Sequence, residues 1–301
     1  MTHLGFGIFC TNGDGSLSTN HSFRLKNLSF ERVFESFNRN KRDFLSLLEL
    51  CREEKIEVFR LGSNFIPYAS HREFKDKWFK ELEPHIEELG KRVLNYRIRI
   101  TMHPGQFVIL NSPNGRVIEN SLRELNYHFW LLDKLGVGQD GVVIVHIGGV
   151  YGEKIRAIES FINTVEKNGW LKRRLAIEND ERLFNAKDVL EIARVLKIPF
   201  VFDFFHHRLN PSKILLEEVF NTWKNNGIPK VHLSSDGDGR YGVHGDYVKV
   251  EDFLSLKMLI EATGIEKVHI MIEAKRKENA LKKLREELII NQERLQDIPS
   301  L

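Results

Sequence analysis

Short β-branched segments alternate eight times with longer amphipathic segments along this chain, and this alternation constrains the fold more than any other feature. The predicted strands are residues 4–10, 56–61, 97–102, 142–147, 174–178, 200–203, 230–233 and 268–273. The predicted helices are residues 43–55, 74–91, 121–135, 154–167, 186–196, 211–226, 251–263 and 278–294, with Pro211 in a first helical turn. Eight βα units in series predict an α/β fold, a single (β/α)8 TIM barrel that spans residues 1–301.

The length of 301 residues allows other domain arrangements. At about 150 residues per domain it suggests two domains, but barrels of this type run to about 250 residues or more as one. A doubly wound sheet would require a glycine-rich phosphate loop after the first strand. The segment CTNGDGS at residues 10–16 is a poor match to GxGxxG, so the barrel is favoured.

Charge and cysteine content narrow the class of protein. The net charge is only +3, which excludes a histone-like polycation but allows a local phosphate-binding groove. The two cysteines, Cys10 and Cys51, form no CxxC motif, which is typical of the reducing cytoplasm. We expect no signal peptide and no membrane span, because the sequence has no matching apolar run.

Histidines and carboxylates follow the predicted strands at the end where barrel enzymes carry their chemistry. A buried charge costs several kcal/mol unless it is paired or binds a metal, and a single lysine, Lys230, cannot neutralise three carboxylates. We therefore predict a metal centre built from strands three to eight and the loop after strand seven. Its residues are His103, His146, Glu178, Asp203, His206, His232, His244 and Glu273.

The chemical types of these side chains also limit which metal ions can bind. Histidine and carboxylate ligands suit zinc, manganese or iron, and they argue against calcium and against a thiolate zinc site. The number of ligands exceeds the needs of one ion, so two or three divalent ions are expected. Ions in such clusters lie about 3.5–4 Å apart and stabilise both the attacking and the leaving oxygen of a phosphodiester displacement.

Six sequence motifs resemble the UV damage endonuclease family: RLGSNFIPYASH, MHPGQF, IENDE, DFFHHRLNP, KVHLSS and MIEAKRKE. The resemblance covers nearly the whole chain, and the family is similar in fold and metal site to endonuclease IV. It implies a DNA repair enzyme with Mn²⁺ as the usual metal, acting in the cytoplasm on nucleoid DNA. The substrate would be double-stranded DNA with UV lesions, cut immediately 5′ to the photoproduct to leave a 3′-hydroxyl and a 5′-phosphate. No protein partner is implied.

The resemblance also assigns roles to individual residues. It places the metal cluster on the eight residues named above, with Glu178 as the bridging carboxylate, and implies that Lys230 can be carboxylated. It matches Gln106 and Phe107 to a pair that enters the duplex at the lesion, and Asn12 to a lesion-pocket asparagine. Ile8 and Phe107 stand where the family often has tyrosines, which predicts a less polar lesion pocket.

Some residues have a second interpretation. The HPGQF loop is suited to replacing lost base stacking, but Phe107 could instead pack back onto the helix. His71 follows strand two and is a candidate catalytic residue through a contact with phosphate or water; a simple surface position is the alternative. Four basic residues near strand ends are candidates for phosphate contacts: Arg60, Arg208, Arg240 and Lys275.

Three other functions fit parts of the pattern. An endonuclease IV-like enzyme that acts at abasic sites would use the same metal cluster. A sugar isomerase on the same barrel would also use histidine, glutamate and aspartate with divalent metal, but it needs a narrow pocket. A noncatalytic DNA-binding protein with a structural metal is disfavoured, because structural sites have four ligands and are usually rich in sulfur.

Overall fold

The computed structural model describes residues 2–237 and 241–296, and for residues 291–296 it describes only the backbone. Within these ranges eight parallel strands close into one barrel in the order of the chain. This confirms the predicted (β/α)8 fold. The strands are β1 His3–Phe9, β2 Val58–Leu61, β3 Arg99–Met102, β4 Val143–His146, β5 Leu175–Glu178, β6 Phe200–Asp203, β7 Lys230–Leu233 and β8 Lys267–Ile272.

The α-helices surround this barrel. They are α1 Phe30–Glu53, α2 Asp76–Tyr96, α3 Gly115–Lys134, α4 Lys154–Lys167, α5 Ala186–Leu196, α6 Phe204–Leu209, α7 Leu216–Asn221, α8 Val250–Glu261 and α9 Lys277–Gln296. Most of the predicted helices are confirmed to within a few residues of their ends. α1 begins at Phe30, thirteen residues before its predicted start, and its N-cap is Ser29, whose hydroxyl accepts a hydrogen bond from the backbone N–H of Arg32.

The helix predicted for residues 211–226 is wrong. The chain forms the short helix α6 first, because the Asp203 carboxylate accepts a hydrogen bond from the N–H of His206 at 2.7 Å and caps it. Pro211 then lies in an extended connection, where Ser212 accepts a hydrogen bond from the Lys187 N–H at the start of α5. The second helix, α7, begins only at Leu216.

The strand periodicity of two decides which side chains point into the barrel. His146 and Glu178 lie side by side in register, as do Asp203 and His232, and these residues form an inward layer at the carboxyl ends of the strands. We call this end the upper end and the amino ends the lower end. A second inward layer lies below the first, two residues earlier along each strand. It includes Ile144, Ala176, Val201 and Lys230.

Apolar packing fills the space below these layers and outside the barrel. Trp223 is fully buried with Val142, Ile144, Ala176 and Val201, and its indole N–H donates to the carbonyl of Phe200 at 2.8 Å. It closes the barrel at the lower end. The larger core lies between strands and helices, so the upper end is the face left open to a substrate. Among the described residues, none of the helices combines the length and apolarity that crossing a bilayer requires.

Candidate metal centre at the upper end of the barrel

Seven of the eight predicted ligands meet at the upper end, and the eighth, His244, lies beside them with its Nδ1 3.7 Å from Glu273 Oε2. Three overlapping groups have potential ligand atoms that all lie within 4.8 Å of one another: His103, His146 and Glu178; Glu178, Asp203 and His206; and Asp203, His232 and Glu273. Glu178 and Asp203 each belong to two groups. The sharing fits a cluster of two or three ions better than a set of separate sites.

Backbone carbonyls fix the ring tautomer of three histidines. The Nδ1 atom of His103 lies 3.0 Å from the Pro104 carbonyl, that of His206 3.0 Å from the Asn179 carbonyl, and that of His244 3.1 Å from the Glu273 carbonyl. A carbonyl oxygen can only accept, so each Nδ1 carries the proton and donates it. The lone pair of each ring then lies on Nε2, the atom that can bind a metal; Nε2 of His103 lies 3.0 Å from Glu178 Oε2.

Two buried atoms in the cluster have no hydrogen-bond partner among the described residues: His146 Nδ1 and Asp203 Oδ2. An unsatisfied buried polar atom costs roughly 1–3 kcal/mol, and a carboxylate oxygen costs more, so native proteins rarely leave one without a purpose. Both residues belong to the groups described above. A divalent cation would satisfy the carboxylate oxygen of Asp203, so the side chains present fit a metal centre.

The electrostatics of the cluster show that it has too much negative charge. Burial, with smaller contributions from the charges of Glu178 and Glu273 and against the opposing effect of His206, raises the pKa of Asp203 to about 8. Burial also acts against the ionised form of Glu178, but His232 and His146 hold its pKa well below its usual range. The carboxylates of this protein therefore compete for the available positive charge.

His206 shows the same imbalance from the other side. Burial acts to lower the pKa of its imidazole, but Asp203, Glu178 and Glu273 outweigh burial and raise that pKa to about 9. A proton here compensates carboxylate charge. A divalent cation would do so more effectively and would displace the proton, because metal-binding imidazoles are neutral.

Arg60, an inward residue of β2, contacts two members of the cluster. Its Nη2 donates to Glu273 Oε1 and lies 3.0 Å from His232 Nε2. Since a guanidinium only donates, His232 Nε2 accepts, and the protonated Nδ1 faces Glu178 Oε1 at 3.0 Å. Arg60 thus orients two predicted ligands instead of reaching a substrate phosphate at the surface, as the sequence had suggested.

Lys230 lies one layer below the cluster and is fully buried. Its ammonium nitrogen is 3.2 Å from the hydroxyl of Thr101. Burial, with the nearby charges of Arg60 and Arg99, holds the pKa of Lys230 well below its usual range. Its amine is therefore neutral for more of the time than a surface lysine, which is the form that reacts as a nucleophile.

The predicted substrate residues lie on two loops at the upper end, and they differ in how exposed and how tightly bonded they are. Gln106 and Phe107 are exposed, and the Phe107 ring is 63% accessible and lies over the backbone of Gly105. Asn12 uses both ends of its side-chain amide within its own loop, donating to Ser16 Oγ and accepting from the Leu17 N–H at 2.9 Å.

His71 is partly buried, and its described hydrogen bonds are local. Its N–H donates to the Tyr68 carbonyl at 2.8 Å, and its Nδ1 accepts from the N–H of Glu73 at 3.3 Å. The described contacts leave its Nε2 without a hydrogen bond to the chain. Its role in catalysis therefore stays a prediction.

The structure corrects the expectation for Ile8. Alternation along β1 turns Ile8 away from the barrel interior, and it is fully buried in the core beneath the helices. Phe9 is the inward residue at the upper end of β1, where the Arg60 guanidinium and the Lys277 ammonium lie over its ring. Ile8 therefore packs in the core between the barrel and the helices, and Phe9 lines the upper end of the barrel.

The remaining basic candidates for phosphate contacts already have acidic partners. Arg208 pairs with Asp252, and Lys275 lies 3.9 Å from Asp246. Arg240 lies outside the described residues. Both described residues are nearly half exposed, so their pairs are weak and can exchange for phosphate.

Two residues that support the site were missed from sequence. Asn179 is fully buried and bonds both its amide ends to the backbone of Asp203, at 3.0 and 2.9 Å. Lys277 is buried against Phe9, and burial lowers the pKa of its ammonium group to about 8. The available signals were position alone: Asn179 directly follows a ligand, and Lys277 follows the last strand.

A (β/α)8 barrel with overlapping histidine–carboxylate groups at its upper end is the architecture of divalent-metal enzymes. A family model described as UV-endonuclease UvdE matches residues 17–299. The chain therefore belongs to the UV-endonuclease UvdE family.

Individual relatives agree with this assignment. The UV DNA damage endonuclease of Clostridium perfringens is 35% identical over 260 residues, which cover 83% of this chain and 63% of that protein. The protein of the same name from Bacillus cereus strain G9842 is 30% identical over 265 residues, covering 86% and 83% of the two chains. Among solved structures, the crystal structure of SacUVDE superposes with a TM-score of 0.85 at 33% identity, covering 96% of this chain and 99% of that one.

Proposed function

We propose that this chain is a metal-dependent DNA repair endonuclease. It hydrolyses the phosphodiester immediately 5′ to UV photoproducts, both cyclobutane pyrimidine dimers and 6-4 photoproducts, and leaves a 3′-hydroxyl and a 5′-phosphate. The observation that carries the proposal is the unsatisfied Asp203 Oδ2 within a buried cluster of acceptors, in a chain of the UvdE family. The whole chain acts as one catalytic domain, on nucleoid DNA in the cytoplasm.

The metal is two or three divalent ions, Mn²⁺ in preference, with Zn²⁺ or another divalent ion as the alternative. When bound, such ions supply Lewis acidity toward the phosphodiester and neutralise its negative charge. The protein residues that hold them are His103, His146, Glu178, Asp203, His206, His232, His244 and Glu273. Support comes from the tautomers of His103, His206 and His244, in which Nδ1 donates to a backbone carbonyl and the ring lone pair is on Nε2.

Glu178 has the central position among these residues. One carboxylate oxygen lies 3.0 Å from His103 Nε2 and the other 3.0 Å from His232 Nδ1. It therefore links the two sides of the cluster and keeps their spacing fixed. Its low pKa means that this link stays ionised at neutral pH.

Lys230 and His71 complete the proposed catalytic set. The neutral amine of Lys230 is the form that can react with carbon dioxide, which would add a carboxylate beneath the cluster. His71 contacts the phosphate or the attacking water. The lowered pKa of Lys230 supports its assignment, while that of His71 depends on the family resemblance.

The substrate is double-stranded DNA with a UV lesion. Gln106 and Phe107 enter the duplex where the photoproduct has weakened stacking, and Asn12 shapes the pocket beside them. The exposed ring of Phe107 supports this role over packing onto the helix. A damaged step opens at a lower free-energy cost than an intact one, and that difference becomes selectivity.

Abasic sites are a second candidate substrate, because they also lack a stacked base. The metal groups of an endonuclease IV-like enzyme or of a sugar isomerase on the same barrel would contain the same residue types. An exposed aromatic residue, Phe107, on the loop that follows the predicted ligand His103 favours a long polymer over a small sugar, which needs an enclosing pocket.

The decisive experiment uses purified protein and an end-labelled duplex with one thymine dimer at a known position. With Mn²⁺ we expect a cut immediately 5′ to the dimer and a ligatable 3′-hydroxyl, and no cut in the undamaged duplex. Chelation should abolish cutting, and Mn²⁺ should restore it. Elemental analysis of the same preparation counts the ions.

Two results would contradict the proposal. One is full activity of a preparation that elemental analysis shows to be free of metal. The other is turnover of ketose sugars with no cutting of irradiated DNA, which would favour the isomerase. Equal cutting of abasic and dimer-containing duplexes would instead widen the substrate range to include abasic sites.

A further inference from the structure

The loop between β4 and α4, at the upper end of the barrel, carries an exposed aromatic residue. It begins after His146, a predicted ligand, and contains Tyr151, whose side chain is 53% accessible. We propose that Tyr151 is a second DNA-contact residue, which stacks its ring on a nucleobase displaced from the duplex beside the cut. This inference rests on the proposed function.

The backbone of this loop is held in a conformation that tyrosine rarely adopts. Tyr151 has φ = +50°, in the left-handed region, and Gly148 and Gly152 on either side have φ of +111° and +108°. Such strain costs free energy and persists only where the surrounding structure enforces it, which is common at ligand-contacting segments. Here the strained backbone holds a large ring toward solvent.

The ring itself has a defined resting place. A Cβ atom built on Gly149 would come within 2.7 Å of the Tyr151 ring carbon Cζ, so the ring lies flat against a position where only glycine fits. One face of the ring is therefore supported by backbone. The accessibility of the side chain means that the rest of its surface is open to a flat partner.

The Tyr151 loop is fixed to the loop that carries Phe107. Asn111 is nearly fully buried, and its side-chain amide donates to the Gly149 carbonyl at 2.7 Å. A Cβ atom on Gly148 would clash with the side chains of Asn111 and Ile109, so the two loops are in direct contact. Phe107 and Tyr151 thus stand on adjoining loops at the ends of neighbouring strands.

The chemistry of the ring points to a base, and not a phosphate, as the partner of Tyr151, because a neutral phenol ring carries no positive charge to attract a phosphate. Stacking on an aromatic face is open to every base, because every base has a π face. A lesion that unstacks the neighbouring bases exposes such faces, and the rings of Phe107 and Tyr151 on their adjoining loops could each stack on one.

The test is the Tyr151→Gly variant, because glycine adopts φ = +50° without strain and the ring is removed. We expect its affinity for irradiated duplex, measured by fluorescence anisotropy in EDTA, to fall about 5- to 100-fold, the loss of one base–aromatic contact. In Mn²⁺ its KM should rise while kcat is retained. Metal content should stay unchanged, and the melting temperature should not fall.

Two further variants separate stacking from other roles. Tyr151→Phe keeps the ring and should bind irradiated duplex as the parent does. Trp170→Ala removes an aromatic side chain that is 39% exposed, before β5 at the lower end, and should leave DNA affinity unchanged.

The outcomes also separate this inference from the proposed function. If the parent cuts dimer-containing DNA and Tyr151→Gly has the parent's KM and affinity, the role of Tyr151 is overturned and the proposed function stands. Loss of metal or of thermal stability in Tyr151→Gly, or loss of binding in Tyr151→Phe, would also overturn it. If the parent itself fails to cut, the proposed function fails first.

Discussion

The two ends of the barrel interior both bury polar side chains, but they satisfy them in opposite ways. At the lower end Arg99 donates to the carbonyls of Asp140 and Ile228 at 2.7 and 2.6 Å, and Arg174 donates to those of Val137, Gly138 and Gly141. At the upper end the cluster consists mainly of acceptors, and Asp203 Oδ2 and His146 Nδ1 have no partner.

The difference separates a structural use of buried charge from a functional one. Lower-end guanidiniums mostly donate to backbone carbonyls of the chain itself and so hold loops together, although Arg99 Nη2 and His269 Nε2 are also buried without a partner among the described residues. Upper-end carboxylates lie close to one another, and Glu178 and Glu273 add to the burial that raises the pKa of Asp203. Lower-end substitutions should therefore change stability, and upper-end substitutions should change activity and metal content.

The largest effect is expected for Glu178→Ala. Because this residue belongs to two of the three ligand groups, we expect its loss to empty the centre and to lower the cutting rate by several orders of magnitude. Nicking of irradiated plasmid and elemental analysis provide the measurements. The matched control is Glu57→Ala at the lower end, where the carboxylate pairs with Lys267 at 2.6 Å and should be irrelevant to metal. Full metal content in Glu178→Ala would refute the shared-ligand assignment.

Next in size is Arg174→Ala, which should lower the free energy of unfolding by about 3–5 kcal/mol because buried carbonyls and Asp133 lose their partner. Activity per folded molecule should not change. Urea denaturation in EDTA measures the loss. Arg173→Ala is the matched control: it removes a neighbouring, exposed arginine that bonds the same Asp133 and should cost at most about 1 kcal/mol. A similar loss in both variants would contradict the comparison of the two ends.

An intermediate effect, on DNA binding, is expected for the upper-end loop that follows β3. Phe107→Ala and Gln106→Ala should each weaken binding to irradiated duplex by about 1–3 kcal/mol, while metal content and melting temperature stay close to those of the parent. Binding to a duplex that is already opened by an abasic site should suffer less. Equal losses on both duplexes, or a lower melting temperature as the main effect, would show that these residues support the fold.

The smallest effect concerns pH at the lower end. His269 Nδ1 accepts a hydrogen bond from Arg99 at 3.1 Å, and burial, followed by the Arg99 charge, lowers the pKa of His269 to about 3. The unfolded chain binds a proton near pH 6.5, so this contribution to stability is complete above pH 6.5 and is lost progressively as the pH falls toward 3. At pH 5.5 the loss should be about 1 kcal/mol.

The pH effect is measured by denaturation at pH 7.5 and 5.5 for the parent and for His269→Gln, both in EDTA. The upper-end histidines titrate in both proteins and cancel in the difference. Acid loss of activity at the upper end should be relieved by added Mn²⁺, because metal and protons compete for the same nitrogens. The His269 difference should not respond to Mn²⁺, and a response would link the two ends.

Local errors in the sequence-based prediction arose where tertiary contacts set the boundary. The predicted helix over residues 211–226 failed because the Asp203 carboxylate caps the short helix α6 and Ser212 bonds to the start of α5. Ile8 was assigned to a lesion pocket by resemblance, but alternation along β1 turns its side chain into the core. Neither the cap nor the facing of Ile8 is visible until the barrel is closed.

Local periodicity and chain order are enough to specify the order of the strands and the residue type at each strand end. They therefore suffice to bring His103, His146, Glu178 and Asp203 to one end of a barrel. Which atoms meet at that end depends on the tertiary structure. Arg60 and Glu273 are 213 residues apart, and their contact, like the Asn111 bond beneath Tyr151, depends on how separate βα units pack against one another. The choice of partner across the barrel is a property of that packing, so no local pattern encodes it.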